Sequence, residues 1–124
     1  MTNNSLSKPE ELRNRTKRFA LRILELFRAL PRTAEAAIMG KQLLRPATSM
    51  AANYRAVCRA RSKAEFIAKI GVVVEEADET VFWIEMVGDG KILEADHLHS
   101  LLKEANELLA IFAASQRTAK TAVQ

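Results

Sequence analysis

An all-α fold, an antiparallel up-down-up-down four-helix bundle, is what this sequence predicts, on three observations. Apolar residues recur at spacings of three and four through four long segments, the period of helices that bury one face. Breakers are scarce: 124 residues contain four glycines and three prolines, and the one glycine-rich spot is Gly88-Asp89-Gly90. Such long unbroken stretches disfavour sandwiches and barrels, which need frequent turns. The connections between the periodic segments are short, so each helix should run antiparallel to the one before it. The length suits a single domain over 1–124 with its own core.

The first helix is expected over 8–30. Ser7-Lys8-Pro9-Glu10 has the form of a capping box, and Pro9 is tolerated in a first turn because its missing N–H has no helical partner there. Leu12, Phe19, Ile23, Leu26 and Leu30 share one face, Ala20 and Phe27 widen it, and Pro31 stops the helix. Thr33 can cap a second helix over 34–60, with Met39, Leu43, Met50 and Val57 as its core stripe. Ser62-Lys63-Ala64-Glu65 reads as another capping box and opens a third helix over 63–87, which Gly88-Asp89-Gly90 ends. A fourth follows over 95–115, through Leu98, Leu101, Leu102, Ala105, Leu108, Leu109 and Phe112. Residues 116–124 are expected to be a flexible tail.

Two helices carry more than a core face. In QLLRPATSMAANYRA, residues Gln42, Arg45, Ser49 and Asn53 form a polar stripe beside the apolar one, with Pro46 in its midst. In the third helix Phe66, Ile70, Val73, Ala77, Val81 and Ile84 fill a core stripe. Val72, Trp83 and Met86 lie on roughly the opposite side, interleaved with Glu76 and Glu79. A helix apolar on two faces is normally covered on both, and a second chain is the expected cover. A carboxylate beside such a surface needs a cation, because unpaired burial is costly. Arg45 is therefore expected to pair with Glu79 or Glu76, within the chain or across a subunit boundary. Gln42, Ser49, Asn53 and Trp83 belong to the same polar network or interface. Pro46 should kink the second helix and leave the Gln42 carbonyl free for one more polar contact.

Charge is unevenly distributed. The net +4 divides into 15 Lys/Arg against 5 Asp/Glu over residues 1–69 and 4 against 10 over residues 70–124. Arg13, Arg15, Lys17, Arg18, Arg22 and Arg28 decorate the first helix; Arg55, Arg59, Arg61 and Lys63 cluster where the second ends. Surfaces of this kind bind phosphate backbones without reading sequence. The seven aromatics fall mostly on core stripes, so base stacking and base-specific readout are not expected.

Other chemistries lack support. Glu94-Ala95-Asp96-His97 has the Glu-x-x-His spacing of di-iron bundles, but such sites need the motif twice, and His97 and His99 are the only histidines. Glu75, Glu76, Asp78 and Glu79 crowd five positions, yet Glu75 and Asp78 point away from Glu76, as on a solvated face. No nucleophile–base pair and no glycine-rich phosphate loop is present, so no catalytic residue, metal or cofactor is expected. The single cysteine, Cys58, reads as a small buried side chain and fits a cytosolic setting. The N-terminus lacks the apolar core of a signal peptide, and no apolar run is long enough to span a membrane. A cytoplasmic location is the expectation.

With these residues in view, the chain resembles the bacterial four-helix bundle family first noticed as open reading frames in 23S rRNA intervening sequences. The resemblance spans about residues 15–112 and rests on ordered pieces: Phe19-Ala20, Leu30-Pro31, Gln42-Leu43-Leu44-Arg45 with Thr48-Ser49 and Asn53-Tyr54. It continues through Ser62, Phe66-Ile67, and Glu76-Ala77-Asp78-Glu79-Thr80 followed by Trp83. Pro46 departs from the small Ser or Ala usual in that family. The resemblance implies a cytosolic up-down-up-down bundle that assembles as a ring-shaped homopentamer, with no known catalytic activity. Similar bundles are accessory proteins of diversity-generating retroelements, where a basic surface is thought to engage nucleic acid and a reverse transcriptase.

The expected function is that of a non-enzymatic oligomeric bundle whose Arg-rich first half meets RNA or DNA phosphates, with an association with ribosomal RNA in view. The alternative is a structural adaptor ring that scaffolds a protein partner and touches no nucleic acid. A metal-dependent or hydrolytic use of Glu75–Glu79 is the weakest of the three.

Overall fold

The computed structural model describes residues 7–122, which form four helices: α1 (Lys8–Ala29), α2 (Ala34–Val57), α3 (Lys63–Asp89) and α4 (Ala95–Thr121). Among the described residues there is no strand. Each helix packs on its neighbours in sequence and α1 also closes against α4; across the diagonal, the Tyr54 ring of α2 meets the Phe112 ring of α4 in the core. Cross-helix contacts run in opposite numerical order. Arg15 meets Glu104 and Arg22 meets Ser100 between α1 and α4; Arg45 meets Glu79 and Asn53 meets Glu76 between α2 and α3. The fold is thus the expected antiparallel up-down-up-down bundle.

Local sequence explains the helix starts. Ser7 and Glu10 form the full reciprocal capping box, and the backbone and hydroxyl hydrogen bonds from Ser7 hold the Glu10 carboxyl below its usual range. Thr33 caps α2 by accepting from the Ala36 N–H at 3.2 Å. At α3 only half of the expected box forms. Ser62 Oγ accepts from the Glu65 N–H at 3.0 Å, but Glu65 reaches one residue further back and accepts from the Arg61 N–H at 2.7 Å.

The ends differ more from expectation. α2 stops at Val57, with Cys58 as its C-cap, not at Ala60. α3 continues through Gly88 to Asp89, and its last carbonyls are satisfied by bonds from Lys91 N–H to Gly88 O and from Ile92 N–H to Val87 O. In this paired C-terminal motif the left-handed position after the cap belongs to Lys91, φ 59°, rather than to either neighbouring glycine. α4 runs on through Thr121, so the segment expected as a flexible tail is helical to that residue; its last two residues lie outside the described residues.

One contiguous core joins all four helices. Phe19 and Ile23 from α1, Leu43 and Met50 from α2, Ile70, Val73 and Ile84 from α3, and Leu108 and Phe112 from α4 are buried almost completely. Close approach at one end depends on Gly40. A Cβ there would lie 2.5 Å from Leu30 Cδ1 and 2.8 Å from Phe27 Cδ1, so a larger residue would force the Leu30 side chain and the Phe27 ring to shift. Thr16 and Thr80 are buried without penalty, because each hydroxyl donates to a carbonyl one turn back in its own helix.

Candidate nucleic-acid interface

The polar stripe of α2 does meet α3, within one chain. Arg45 forms an ion pair with Glu79, and Ser49 Oγ donates to Glu76 Oε2. Asn53 Nδ2 donates to Glu76 Oε1 at 2.8 Å and to Ser49 Oγ at 3.2 Å. Glu76 is therefore held by two side chains on a neighbouring helix, which pins the register between α2 and α3. Gln42 does not join: its side chain is exposed and has no hydrogen-bond partner among the described residues. Pro46 is buried in a helix that continues through it, and no donor from outside α2 reaches the Gln42 carbonyl among the described residues. Trp83 is half-buried, with the ring of Phe82 edge-on at 4.9 Å between centroids. The apolar surface left open around this clasp consists of Ile38, Val72 and Phe82, which are 62%, 44% and 48% exposed. Ile38 and Phe82 went unremarked in the sequence because each lies beside a polar stripe rather than within an apolar one.

Arg15 belongs elsewhere than expected. Its guanidinium makes a two-pronged contact with Glu104, both bonds 2.7 Å, and a third bond of 2.8 Å to Glu107. Donation from Arg15 holds the Glu104 carboxyl below its usual range against the opposing effect of burial. Arg15 is thereby removed from the candidate phosphate contacts; its charge is neutralised at the α1–α4 seam. Arg22 lies on the same seam and donates to Ser100 Oγ at 2.7 Å. Arg28, at the last turn of α1, lies at the far end of the bundle from Arg55, Arg59 and Arg61.

The remaining cations converge. Antiparallel packing brings the start of α1, the end of α2, the start of α3 and the end of α4 together at one pole. Lys8, Arg13, Lys17, Arg18, Arg55, Arg59, Arg61, Lys63, Lys69, Arg117 and Lys120 gather there, against Glu10, Glu11, Glu65, Glu104 and Glu107, the last two held by Arg15 and Glu65 paired with Arg61. Toward the opposite pole, Glu85, Asp89, Glu94 and Asp96 are interspersed with Arg28, Arg32, Lys41 and Lys91. The helix dipoles alternate and cancel in such a bundle, so the field comes from side chains. The excess of positive charge is thus concentrated at one end of the bundle, while the other end is mixed. Arg117 and Lys120 were missed because they lie in the segment read as tail; the signal that could have found them is that extending α4 returns it to the start of α1.

At this pole α1 and α2 enclose a groove of about 560 Å³, lined by Arg13, Asn14, Lys17, Ala51, Ala52, Arg55 and Arg59. Four cations and no carboxylate line it. None of the four forms an ion pair with another described residue. Ala51 and Ala52 keep the floor low. Tyr54, on the same helix, is turned into the core against Phe112, and burial, helped by the adjacent Cys58 thiol, pushes its phenol well above the usual range. No aromatic face lines the groove. Cys58 itself is half-buried rather than buried. His97 and His99 are both exposed, and no group of three or more His, Cys, Asp or Glu side chains converges on a metal-sized site among the described residues. No described helix is long and apolar enough to cross a membrane.

An up-down-up-down bundle with a basic pole and a side-chain clasp between α2 and α3 defines a small all-α bundle protein. The chain belongs to the 23S rRNA-intervening sequence protein family, whose model matches residues 10–114. Among solved structures it is similar to a protein of unknown function from the S23 ribosomal protein family of Bacteroides thetaiotaomicron. The two are 28% identical, with a TM-score of 0.82 over 90% of this chain and 99% of that one. No curated protein matches.

Proposed function

We propose that this protein is a non-enzymatic, oligomeric binding protein of the bacterial cytoplasm that engages RNA or DNA through phosphates. The observation that carries this reading is the basic pole and its α1–α2 groove, whose four cations form no ion pair with another described residue. Counterion release from a polyanion is the driving force such a surface exploits, and it requires neither base contacts nor aromatic stacking. The family's description as 23S rRNA-intervening sequence proteins supports ribosomal RNA as the first ligand to try. The assembly proposed is a homopentameric ring, as the family resemblance implies; Ile38, Val72 and Phe82 supply apolar surface for contacts between subunits. The test is an electrophoretic shift with structured RNA and duplex DNA at two salt concentrations. Retention at low salt that falls steeply at high salt is expected. Absence of a shift with either ligand at low salt would refute it.

A second reading, a structural adaptor ring that scaffolds a protein and touches no nucleic acid, is favoured by one observation. Phe82 stands exposed between Asp78 and Glu85, successive on one α3 face, and an apolar group framed by charge can seat a partner helix. Under that reading the shift experiment is negative in both salts.

A further inference from the structure

From the α1–α2 groove we infer that it clamps the sugar–phosphate backbone of one unpaired nucleic-acid strand, contacting two successive phosphates. The inference rests on the phosphate-binding reading above and narrows it to a site and a ligand form. Arg13 and Lys17 are four residues apart on α1, and Arg55 and Arg59 are four apart on α2. That spacing corresponds to about 6 Å along a helix axis, comparable to the step between adjacent phosphates on one strand. Because α1 and α2 are antiparallel, the two walls carry their cations in opposite order, Arg13 then Lys17 on one and Arg59 then Arg55 on the other. The groove therefore has two rungs, each with one cation from either wall.

The walls decide the form of the ligand. Cations carried on both walls of a groove can contact a single chain of phosphates from both sides. A duplex would present one phosphate row to the rim and hold its other row away across a groove about 6–12 Å wide. The alanine floor admits a backbone and leaves no pocket for a base. Tyr54, the nearest aromatic on α2, is buried beneath, so the strand's bases would face solvent unstacked. Binding through this groove is accordingly blind to sequence.

The test compares two double variants of equal charge change in the intact protein. R13Q/R59Q removes one rung; R117Q/K120Q removes two cations from the same pole outside the groove. Labelled single-stranded RNA of mixed sequence and a duplex of equal length are titrated by fluorescence anisotropy across a salt series, with thermal melts to establish that both variants fold. For the single strand, loss of the rung should lower the salt slope by about 1.4 and the affinity by about 25-fold at 0.1 M salt, while R117Q/K120Q changes either much less. The duplex should respond alike to the two variants. Equal losses for the single strand would overturn the clamp and leave general phosphate binding standing. Failure of the unsubstituted protein to bind either probe would remove both. If R13Q/R59Q alters sedimentation of the protein alone, the groove is filled by a second copy's carboxylates and the inference is overturned.

Discussion

Replacing Arg15 by methionine should destabilise the protein by about 2 kcal/mol without weakening the proposed contact with nucleic acid. Methionine retains the apolar stem that packs along α1 while deleting the fork that joins α1 to α4. The fork makes three bonds of 2.7–2.8 Å, two of them a paired contact with one carboxylate. The side chains of Arg15 and Glu104 are 30% and 20% exposed, so this pair is better shielded than a surface ion pair, which contributes about 0.2–1 kcal/mol. A charge-assisted, two-pronged geometry adds to that, and Glu104 is left without its cation; about 2 kcal/mol follows, or a fall in Tm of about 6–8 °C. The pH dependence gives the sharper check. Arg15 lowers the folded-state pKa of Glu104 below its ordinary 4.5, so the stabilisation is fully present above about pH 4.5 and is lost as pH falls through the lowered value. Urea denaturation of the protein and of R15M, E104Q and the double variant should therefore show a coupling at pH 7 that persists at pH 5 and declines progressively as the pH is taken further down. Equal stability of R15M at pH 7, or a penalty independent of pH, would refute the reasoning.

Three other outcomes follow from the same geometry. Glu76→Ala should cost about 2 kcal/mol by calorimetry, because it strands the half-buried donors of Ser49 and Asn53, whereas Arg45→Met, at a more exposed pair, should cost less than about 1 kcal/mol. Lys91→Gly should raise stability by about 1 kcal/mol in a thermal melt, since the left-handed backbone at this position suits glycine better than lysine. Ile38→Asp combined with Phe82→Asp should reduce the proposed assembly to smaller species in sedimentation while leaving the helical circular dichroism unchanged; unaltered sedimentation would count against subunit contacts through these residues.

Helix existence and facing were legible because burial imposes a period the sequence cannot hide: Phe19, Ile23, Leu43, Ile70 and Leu108 lie where their spacing puts them. The clasp was legible for a different reason. Glu76 and Glu79 beside an apolar stripe demand compensation, and Arg45, Ser49 and Asn53 were the nearest polar set on a second helix. Gln42 failed to join because sharing a helical face does not bring a residue within reach of a particular neighbour. Helix ends were hidden: Glu65 chose the Arg61 N–H over that of Ser62, and Lys91 took a conformation two adjacent glycines seemed to claim. The fate of Arg15 was also hidden. Its pairing with Glu104 and Glu107 spans about ninety residues of sequence, a separation at which only the fold decides what meets.

The sorting of charge along the bundle axis carries a consequence for assembly. Subunits standing side by side around an axis parallel to their helices would turn all their cationic tips the same way, forming a crown of mutually repelling ions. Apolar contacts lower down would have to hold that crown shut, and a polyanion laid across it would relieve the strain. Ring closure and ligand capture would then reinforce each other, so that dilution in ligand-free buffer of low ionic strength opens the ring and added polyphosphate closes it.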